Sequence, residues 1–136
     1  MSDAPSDADV LAAPLELPCG VVLKNRLAKA AMSDSLGDGE GRPTGRQVEL
    51  YRRWAAGGTA LSVIGEVQVD HRYPERPGNL VLDESADPAH FAELADAGSV
   101  ERAQLWPQLG HAGALAYEPI SRPAGPSALA VDDLLC

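Results

Sequence analysis

The chain has 136 residues, a length typical of a single domain, and its hydrophobic content of 45% is enough for a globular core. Its net charge of −9 argues against a nucleic-acid-binding protein, because such proteins need clustered Lys and Arg. No apolar run approaches the roughly 20 residues that cross a membrane. The sequence therefore predicts no nucleic-acid partner and no membrane partner.

The cysteines and the N-terminus indicate the compartment. Cys19 and Cys136 have neither the spacing of a metal site nor the pattern of a disulfide framework, which fits a reducing environment. The acidic segment from Met1 to Asp9 lacks the apolar stretch of a signal peptide. We therefore expect a cytoplasmic protein.

The N-terminal part of the chain predicts a tail, a hairpin and a strand. Residues 1–13 are rich in Asp, Ala, Ser and Pro and predict a disordered tail, with one domain over residues 14–136. Two short apolar runs flank Pro18-Cys19-Gly20, which predicts a hairpin around a tight turn. Small and aliphatic residues from Leu27 to Met32 predict the first strand of a sheet, which ends at Ser33.

A helix is predicted next. Thr44 is a good N-cap, and Gln47 follows three residues later, as in a capping box. At about 100° per residue one side of the helix is apolar, which is typical of a helix that packs against a sheet. The residues on this side are Val48, Leu50, Tyr51, Trp54 and Ala55. Gly57 and Gly58 then end the helix.

The rest of the chain repeats this alternation. Ala60 to Ile64 is a β-branched run that predicts the second strand. Asp87-Pro88 matches the N-cap and first position of a second helix, which Gly98 ends. Ala103 to Leu109 predicts a third strand, although Pro107 within it removes a ladder donor. Strands that alternate with helices predict an α/β fold with a parallel sheet.

The histidines and the acidic loop do not predict a metal site. His71 and His90 lie far apart in the sequence and match no ligand spacing. The acidic loop from Asp34 to Gly39 lacks the closing Glu of a calcium loop. We therefore expect no bound metal.

Several short motifs are specific in their combined order, although each is weak alone. They are Leu23–Leu27, Ala30–Ser33, Gly41–Thr44, Tyr51–Arg53, Gly57-Gly58, Arg76–Asn79, Gln108–Gly113 and Gly125–Ala128. In this order they resemble the old yellow enzyme family, the FMN-dependent NADH:flavin oxidoreductases. The resemblance implies a (β/α)8 TIM barrel. This chain would be its N-terminal part, with about three βα units and the hairpin that closes the bottom.

The resemblance also implies an activity. In the family, NAD(P)H passes a hydride to FMN, and the reduced flavin passes it to a small-molecule substrate, an activated alkene or similar acceptor. The groups that hold the substrate and the flavin phosphate come from later strands, so no catalytic residue is expected within this chain. The alternative is a truncated, inactive remnant or an assembly module that needs another chain to complete the barrel. Open sheet edges would also favour self-association.

The resemblance implies six cofactor-binding residues, Ala30, Ala31, Met32, Ser33, Glu66 and Gln108. A carboxamide both donates and accepts hydrogen bonds, so Gln108 suits the O2 and N3–H edge of the isoalloxazine ring. The Ser33 hydroxyl would donate toward O4 and N5, with the neighbouring backbone against the ring. Each also has a simpler explanation. Gln108 is then a surface residue at a strand end, and Ser33 is a strand-ending residue that bonds a loop amide.

Two further positions leave alternatives open. Glu66 stands where relatives have a small or amide residue, and its carboxylate would be unfavourable beside an electron-rich reduced flavin. Its backbone N–H would still be available to the ring. His111 either helps to shape the flavin site or packs under the turns at Gly110 and Gly113. Ala114 replaces the basic residue that relatives have there.

Overall fold

The computed structural model describes residues 5–127, which form three α-helices and five β-strands. The helices are α1 (Asp7–Ala12), α2 (Gly45–Ala56) and α3 (Ala92–Gly98). The strands are β1 (Leu15–Glu16), β2 (Val22–Leu23), β3 (Ala28–Lys29), β4 (Leu61–Gln68) and β5 (Gln104–Gly110). The motif residue Ala128 and the terminal Cys136 lie outside the described residues.

Helix α1 lies where the sequence predicted a disordered tail. A capping box begins it, since Ser6 Oγ accepts a hydrogen bond from the Asp9 amide at 3.3 Å and Asp9 Oδ2 accepts one from the Ser6 amide at 3.0 Å. The Arg26 amide donates to the Leu11 carbonyl at 2.9 Å, which ties the helix to the chain after the hairpin. The prediction of disorder is therefore wrong for residues 7–12.

The predicted hairpin is present. Strands β1 and β2 pair in the antiparallel sense, with Leu15 opposite Leu23. The Leu17 amide donates to the Val21 carbonyl at 2.9 Å, and Gly20 takes a positive φ of 85° in the turn between them.

Strands β3, β4 and β5 form a parallel sheet in that order. This confirms the α/β prediction and its parallel connections. Strand β3 is only two residues long, much shorter than the predicted Leu27–Met32. Strand β4 instead continues past its predicted end at Ile64, because an irregularity between Ile64 and Val67 lets pairing with β5 resume at Leu109.

The pairing register gives the sheet two faces. Lys29, Ser62 and Leu105 share the face toward the helices, where Lys29 Nζ lies 4.7 Å from the centre of the Trp54 ring. By alternation the other face carries Val63 and its partner Trp106. Trp106 keeps 37% of its surface exposed, so this second face is open to solvent.

The core lies between the sheet and helices α2 and α3. Its buried members are Val48, Tyr51, Ile64, Val67, Leu80, Leu94 and Ala97. Burying a side chain such as Leu80 or Leu94 stabilises the fold by roughly 1.5–3 kcal/mol. Half-buried Leu105 packs on this cluster from β5, which joins the third strand to the same core.

Helix α2 matches its predicted bounds and its predicted N-cap, but it forms only half of the predicted capping box. Thr44 Oγ1 accepts a hydrogen bond from the Gln47 amide at 3.4 Å. The Gln47 carboxamide does not return to the N-cap. It donates to the Asp34 carboxylate at 3.0 Å, so the reciprocal half of the predicted capping box is absent. The first turn of α2 is thereby tied to the loop that follows β3.

The other sequence signals at element ends are confirmed. Asp87 caps a 3₁₀ turn at Pro88–Phe91 that leads into α3, with the Asp87 carboxylate accepting from the Ala89 amide at 2.9 Å. Pro107 lies within β5 opposite Ile64, and β5 is an edge strand of the described sheet, where proline is tolerated.

Among residues 5–127, no helix has both the length and the apolarity needed to cross a bilayer.

Candidate functional site

A pocket of about 310 Å³ lies where β4 and β5 end. Its lining residues are Glu66, Glu75, Gln108, Leu109, Gly110, His111, Ala112 and Leu115. Because the strands are parallel, their carboxyl ends share one edge of the sheet. Two of the six predicted cofactor residues, Glu66 and Gln108, therefore face the same space.

Ser33 reaches this pocket through Glu75. The Ser33 hydroxyl donates a hydrogen bond to Glu75 Oε2 at 3.0 Å, and Glu75 lines the pocket beside Glu66 and Gln108. The structure thus links three predicted residues, one from the segment after β3 and two from the last residues of β4 and β5. The hydroxyl proton that was predicted to point toward a flavin is directed to Glu75 instead.

The segment before Ser33 is shaped by a close backbone contact. Ala30 is exposed, Ala31 is half-buried and the Met32 side chain is 57% exposed. A Cβ added to Gly65 would overlap the backbone of Met32, so only glycine lets β4 approach this closely. The backbone of these residues is held against β4 while their side chains stay open.

Glu66 lies in the irregular part of β4. Its φ of 55° is in the left-handed region, which is unusual for a residue with a side chain. Glu66 Oε2 accepts a hydrogen bond from Gln68 Nε2 at 3.4 Å, and Gln68 Oε1 accepts one from the Ala112 amide at 3.0 Å. Gln68 is fully buried. This chain of contacts connects the Glu66 carboxylate to the loop after β5.

Gln108 and His111 come from β5 and the loop after it. Gln108 is exposed and, by alternation, lies on the same face of the sheet as Trp106. His111 Nδ1 accepts a hydrogen bond from the Gly113 amide at 3.0 Å, and its ring lies 4.9 Å from the Tyr73 ring. His111 therefore packs at the Gly113 turn, and it also lines the pocket.

A half-buried lysine lies between the sheet and α2, just before the predicted flavin segment. Lys29 Nζ donates to the Val63 carbonyl at 2.9 Å and to Tyr51 Oη at 3.4 Å. Burial lowers the pKa of Lys29, and the nearby Asp34 carboxylate partly offsets this. Burial also raises the pKa of Tyr51, and Asp34 acts in the same direction. These contacts fix Lys29 and Asp34, which lie on either side of residues 30–33.

Comparison with known proteins identifies relatives among flavin enzymes, although no family model matches the chain. The NADH-dependent flavin oxidoreductase iliE of Hypocrea jecorina is 40% identical over 73 residues, which cover 54% of this chain and 18% of that protein. The NADH oxidase of Thermoanaerobacter brockii is 33% identical over 96 residues, covering 68% of this chain and 14% of that protein. The chain is related to the NADH-dependent flavin oxidoreductases.

A solved structure has a fold similar to that of this chain. The old yellow enzyme of Trypanosoma cruzi matches with a TM-score of 0.79 and 19% identity, covering 91% of this chain and 36% of that one. The resemblance predicted from the motifs is confirmed, and so is the α/β fold as part of an old yellow enzyme barrel. The chain spans less than a quarter of the length of the curated flavin oxidoreductases and NADH oxidase that it matches.

The sequence analysis missed two residues at the site in this chain, Glu75 and Gln68. Glu75 precedes the motif Arg76–Asn79, and the Gly37 amide donates to the Gly78 carbonyl at 2.9 Å, which brings the two loops together. That motif was the only signal near Glu75. Gln68 gave no signal, because the sequence predicted that β4 ended before it.

Proposed function

We propose that the described residues form part of the FMN site of an NAD(P)H-dependent flavin oxidoreductase. The positions of Ser33, Glu66 and Gln108 support this most directly, because they belong to the segment after β3 and to the last residues of β4 and β5. Glu66, Gln108 and Glu75, the hydrogen-bond partner of Ser33, line one pocket. Barrels of this fold bind their ligands at the carboxyl ends of their strands.

The chemistry of the pocket fits one edge of an isoalloxazine ring. The exposed carboxamide of Gln108 offers a donor and an acceptor, which is what the O2 and N3–H edge needs. The pocket volume of about 310 Å³ is near the lower end of small-molecule sites. No Lys or Arg is among its described lining residues, so this part of the chain offers no charged group to a phosphate.

When bound, FMN would carry a hydride from NAD(P)H to an activated alkene or similar acceptor. The task of residues 30–33, Glu66 and Gln108 would be to bind and orient the ring. Because the chain matches only a part of each relative, both the acceptor and the complete activity are carried over as proposals. We place no catalytic residue within this chain.

A second candidate function is an assembly module that completes its barrel with another chain. The open sheet face favours it, since Trp106 keeps 37% exposure there and both β3 and β5 are edge strands of the described sheet. Unpaired strand edges readily pair with other strands. In this case flavin binding would depend on the second chain.

Comparing two flavins tests the first proposal. FMN and riboflavin differ only in the phosphate, so both should bind to the 136-residue chain with dissociation constants within about threefold of each other. Two or three neutral hydrogen bonds, each worth about 1 kcal/mol net, predict an affinity weaker than about 1 μM, or about −8.2 kcal/mol. Quenching of flavin fluorescence would measure both constants.

The outcomes separate the alternatives. If the chain binds neither flavin even at millimolar concentration, the FMN proposal is wrong for this chain and the assembly module is favoured. A much tighter complex with FMN than with riboflavin would mean that a cation outside this pocket binds the phosphate. Retention of one FMN per chain through gel filtration would contradict the expected weak affinity.

A further inference from the structure

The hydrogen bond between Ser33 and Glu75 determines what Ser33 can offer to a ligand. A serine hydroxyl has one proton and two acceptor lone pairs. An ionised carboxylate only accepts, so in the 3.0 Å contact the proton must come from Ser33. Ser33 then has no second proton to donate to a ligand, which differs from the donor role predicted from the sequence.

Glu75 is held in place by the loop on either side of it. The Pro74 carbonyl accepts a hydrogen bond from the Tyr117 amide at 2.8 Å. The Arg76 amide donates to the side chain of Asn79, which is itself buried. Both neighbours of Glu75 are therefore fixed by contacts elsewhere in the fold. The loop therefore holds the Glu75 carboxylate in position.

The charge around the pocket has one sign. Glu66 and Glu75 both line it, and no Lys or Arg does so in the described part of the chain. His111 lines the pocket as well, with its Nδ1 accepting from the Gly113 amide. An uncompensated negative field disfavours any ligand state that carries extra electron density.

We propose that Glu75 is a positioning residue of the flavin site that lowers the preference for reduced flavin. It accepts the Ser33 proton, so that proton is not available to O4 of the ring, and it adds its own negative charge nearby. Two-electron reduction makes O4 more electron-rich, so the missing donor and the nearby negative charge both weaken binding of the reduced form relative to the oxidised form. This inference rests on the FMN site proposed above.

The test measures the dissociation constants of oxidised and two-electron-reduced FMN under anaerobic conditions. The quantity of interest is their ratio, for the parent chain, Glu75→Gln, Ser33→Ala and the double variant. Glu93→Gln is the matched control, because it removes the same charge from an exposed position on α3 that does not line the pocket. Circular dichroism confirms that each variant is folded.

Glu75→Gln should raise the relative affinity for reduced FMN about tenfold, which is an upward shift of about 30 mV for a two-electron couple. Ser33→Ala should leave the ratio within about twofold of that of the parent, because Glu75 already holds the Ser33 proton. The double variant should give a lower ratio than Glu75→Gln, because it lacks the hydroxyl whose proton Glu75→Gln can make available to the ring. Glu93→Gln should leave the ratio unchanged.

Several results would overturn the inference. Equal ratios for Glu75→Gln and Glu93→Gln would leave no specific role for Glu75, while the FMN site itself would stand. A lower ratio in Ser33→Ala would mean that Ser33 donates to the ring, and this sign decides the question even if Glu75→Gln does not fold. If the parent chain binds neither form, the proposed FMN site fails and the inference fails with it.

Discussion

Gly65 and Met32 are in direct backbone contact across the gap between β4 and the segment that follows β3. A Cβ on residue 65 would overlap the amide nitrogen and the carbonyl group of Met32. The contact lies one residue before Ser33 and one residue before Glu66. It therefore sets the spacing between two of the residues proposed to bind flavin.

Replacing Gly65 with Ala tests this contact. The added methyl group must displace the Met32 backbone, and overpacking of this kind typically costs about 1–3 kcal/mol of unfolding free energy. Urea denaturation of the parent and variant chains would measure the loss. Flavin affinity should fall as well, because residues 31–33 would move.

Gly45→Ala is the matched control for this substitution. Gly45 is the first residue of α2, and nothing lies within 4 Å of a Cβ added there. Alanine costs less backbone entropy than glycine in a helix, so the unfolding free energy of this variant should rise by up to about 1 kcal/mol. Equal effects from the two substitutions would show that the contact at Gly65 does not constrain the fold.

The two polar side chains proposed to meet the flavin should differ in their effect on affinity. Gln108→Leu would leave O2 and N3–H of the ring unsatisfied, at a cost on the order of 1–3 kcal/mol for each buried group. Ser33→Ala removes one hydroxyl that already donates to Glu75, so its cost to flavin affinity should be no more than about 1 kcal/mol. FMN titration of both variants would measure the difference.

Gln104→Leu controls for the loss of a carboxamide from the same strand. Gln104 begins β5, at the opposite end from the pocket, and does not line it. This variant should bind FMN as the parent does. Should Gln108→Leu bind FMN as tightly as Gln104→Leu, the flavin has been assigned to the wrong residues.

The sequence predicts the helices and strands of this fold better than the irregular positions within and between them. Helix α2 and strand β5 each carry a local signal, an N-cap at Thr44 or an apolar run, and both are confirmed. The bulge at Glu66 carries no such signal, because its φ of 55° arises from pairing β4 with β5 on both sides of the irregularity. Local sequence does not encode a conformation that tertiary pairing imposes.

The same distinction applies to the site. The motif Gln108–Gly113 and the β-branched run ending at Ile64 placed Gln108 and Glu66 near strand ends, and the parallel sheet brings them to one pocket. Glu75 could not be predicted, because it is 42 residues from Ser33 and reaches it only after the two loops pack together. The missing return bond of Gln47 has a similar cause. Gln47 Nε2 donates to the Asp34 carboxylate, a strong acceptor, and Gln47 Oε1 is left without the bond that the Thr44 amide would donate to it in a capping box.

The Asp83 carboxylate, in the loop between β4 and α3, predicts that the stability of the fold decreases at acid pH. Asp83 accepts hydrogen bonds from Ser85 Oγ and from His71 Nδ1, each at 2.6 Å. These bonds, that from Ser85 first, hold the pKa of Asp83 below its ordinary value of 3.8. A depressed carboxyl pKa contributes stability that is fully present above the ordinary value and is lost as the pH falls through the lower, folded-state value.

Asp83→Asn should therefore lower the melting temperature at pH 6 and have a smaller effect at pH 2, where the parent has lost part of the same contribution. Thermal denaturation followed by circular dichroism from pH 2 to pH 6 would measure both chains. Asp96→Asn, at an exposed position on α3, is the control. Its melting temperature should differ from that of the parent by the same amount at pH 2 and at pH 6. A constant difference between parent and Asp83→Asn at every pH would contradict the linkage.

The open face of the sheet predicts self-association of the 136-residue chain. Trp106 is 37% exposed there, and the parallel sheet ends at unpaired edges in β3 and β5, whereas parallel sheets are usually covered on both faces. Light scattering should detect association at micromolar concentrations. Trp106→Lys should raise the protein concentration at which association is detected at least threefold. Val22→Lys, which replaces a 49%-exposed side chain on the hairpin with the same charge, should not. A compact monomer at high micromolar concentration would be the contrary result, because it would mean that this face is stable in water without a partner.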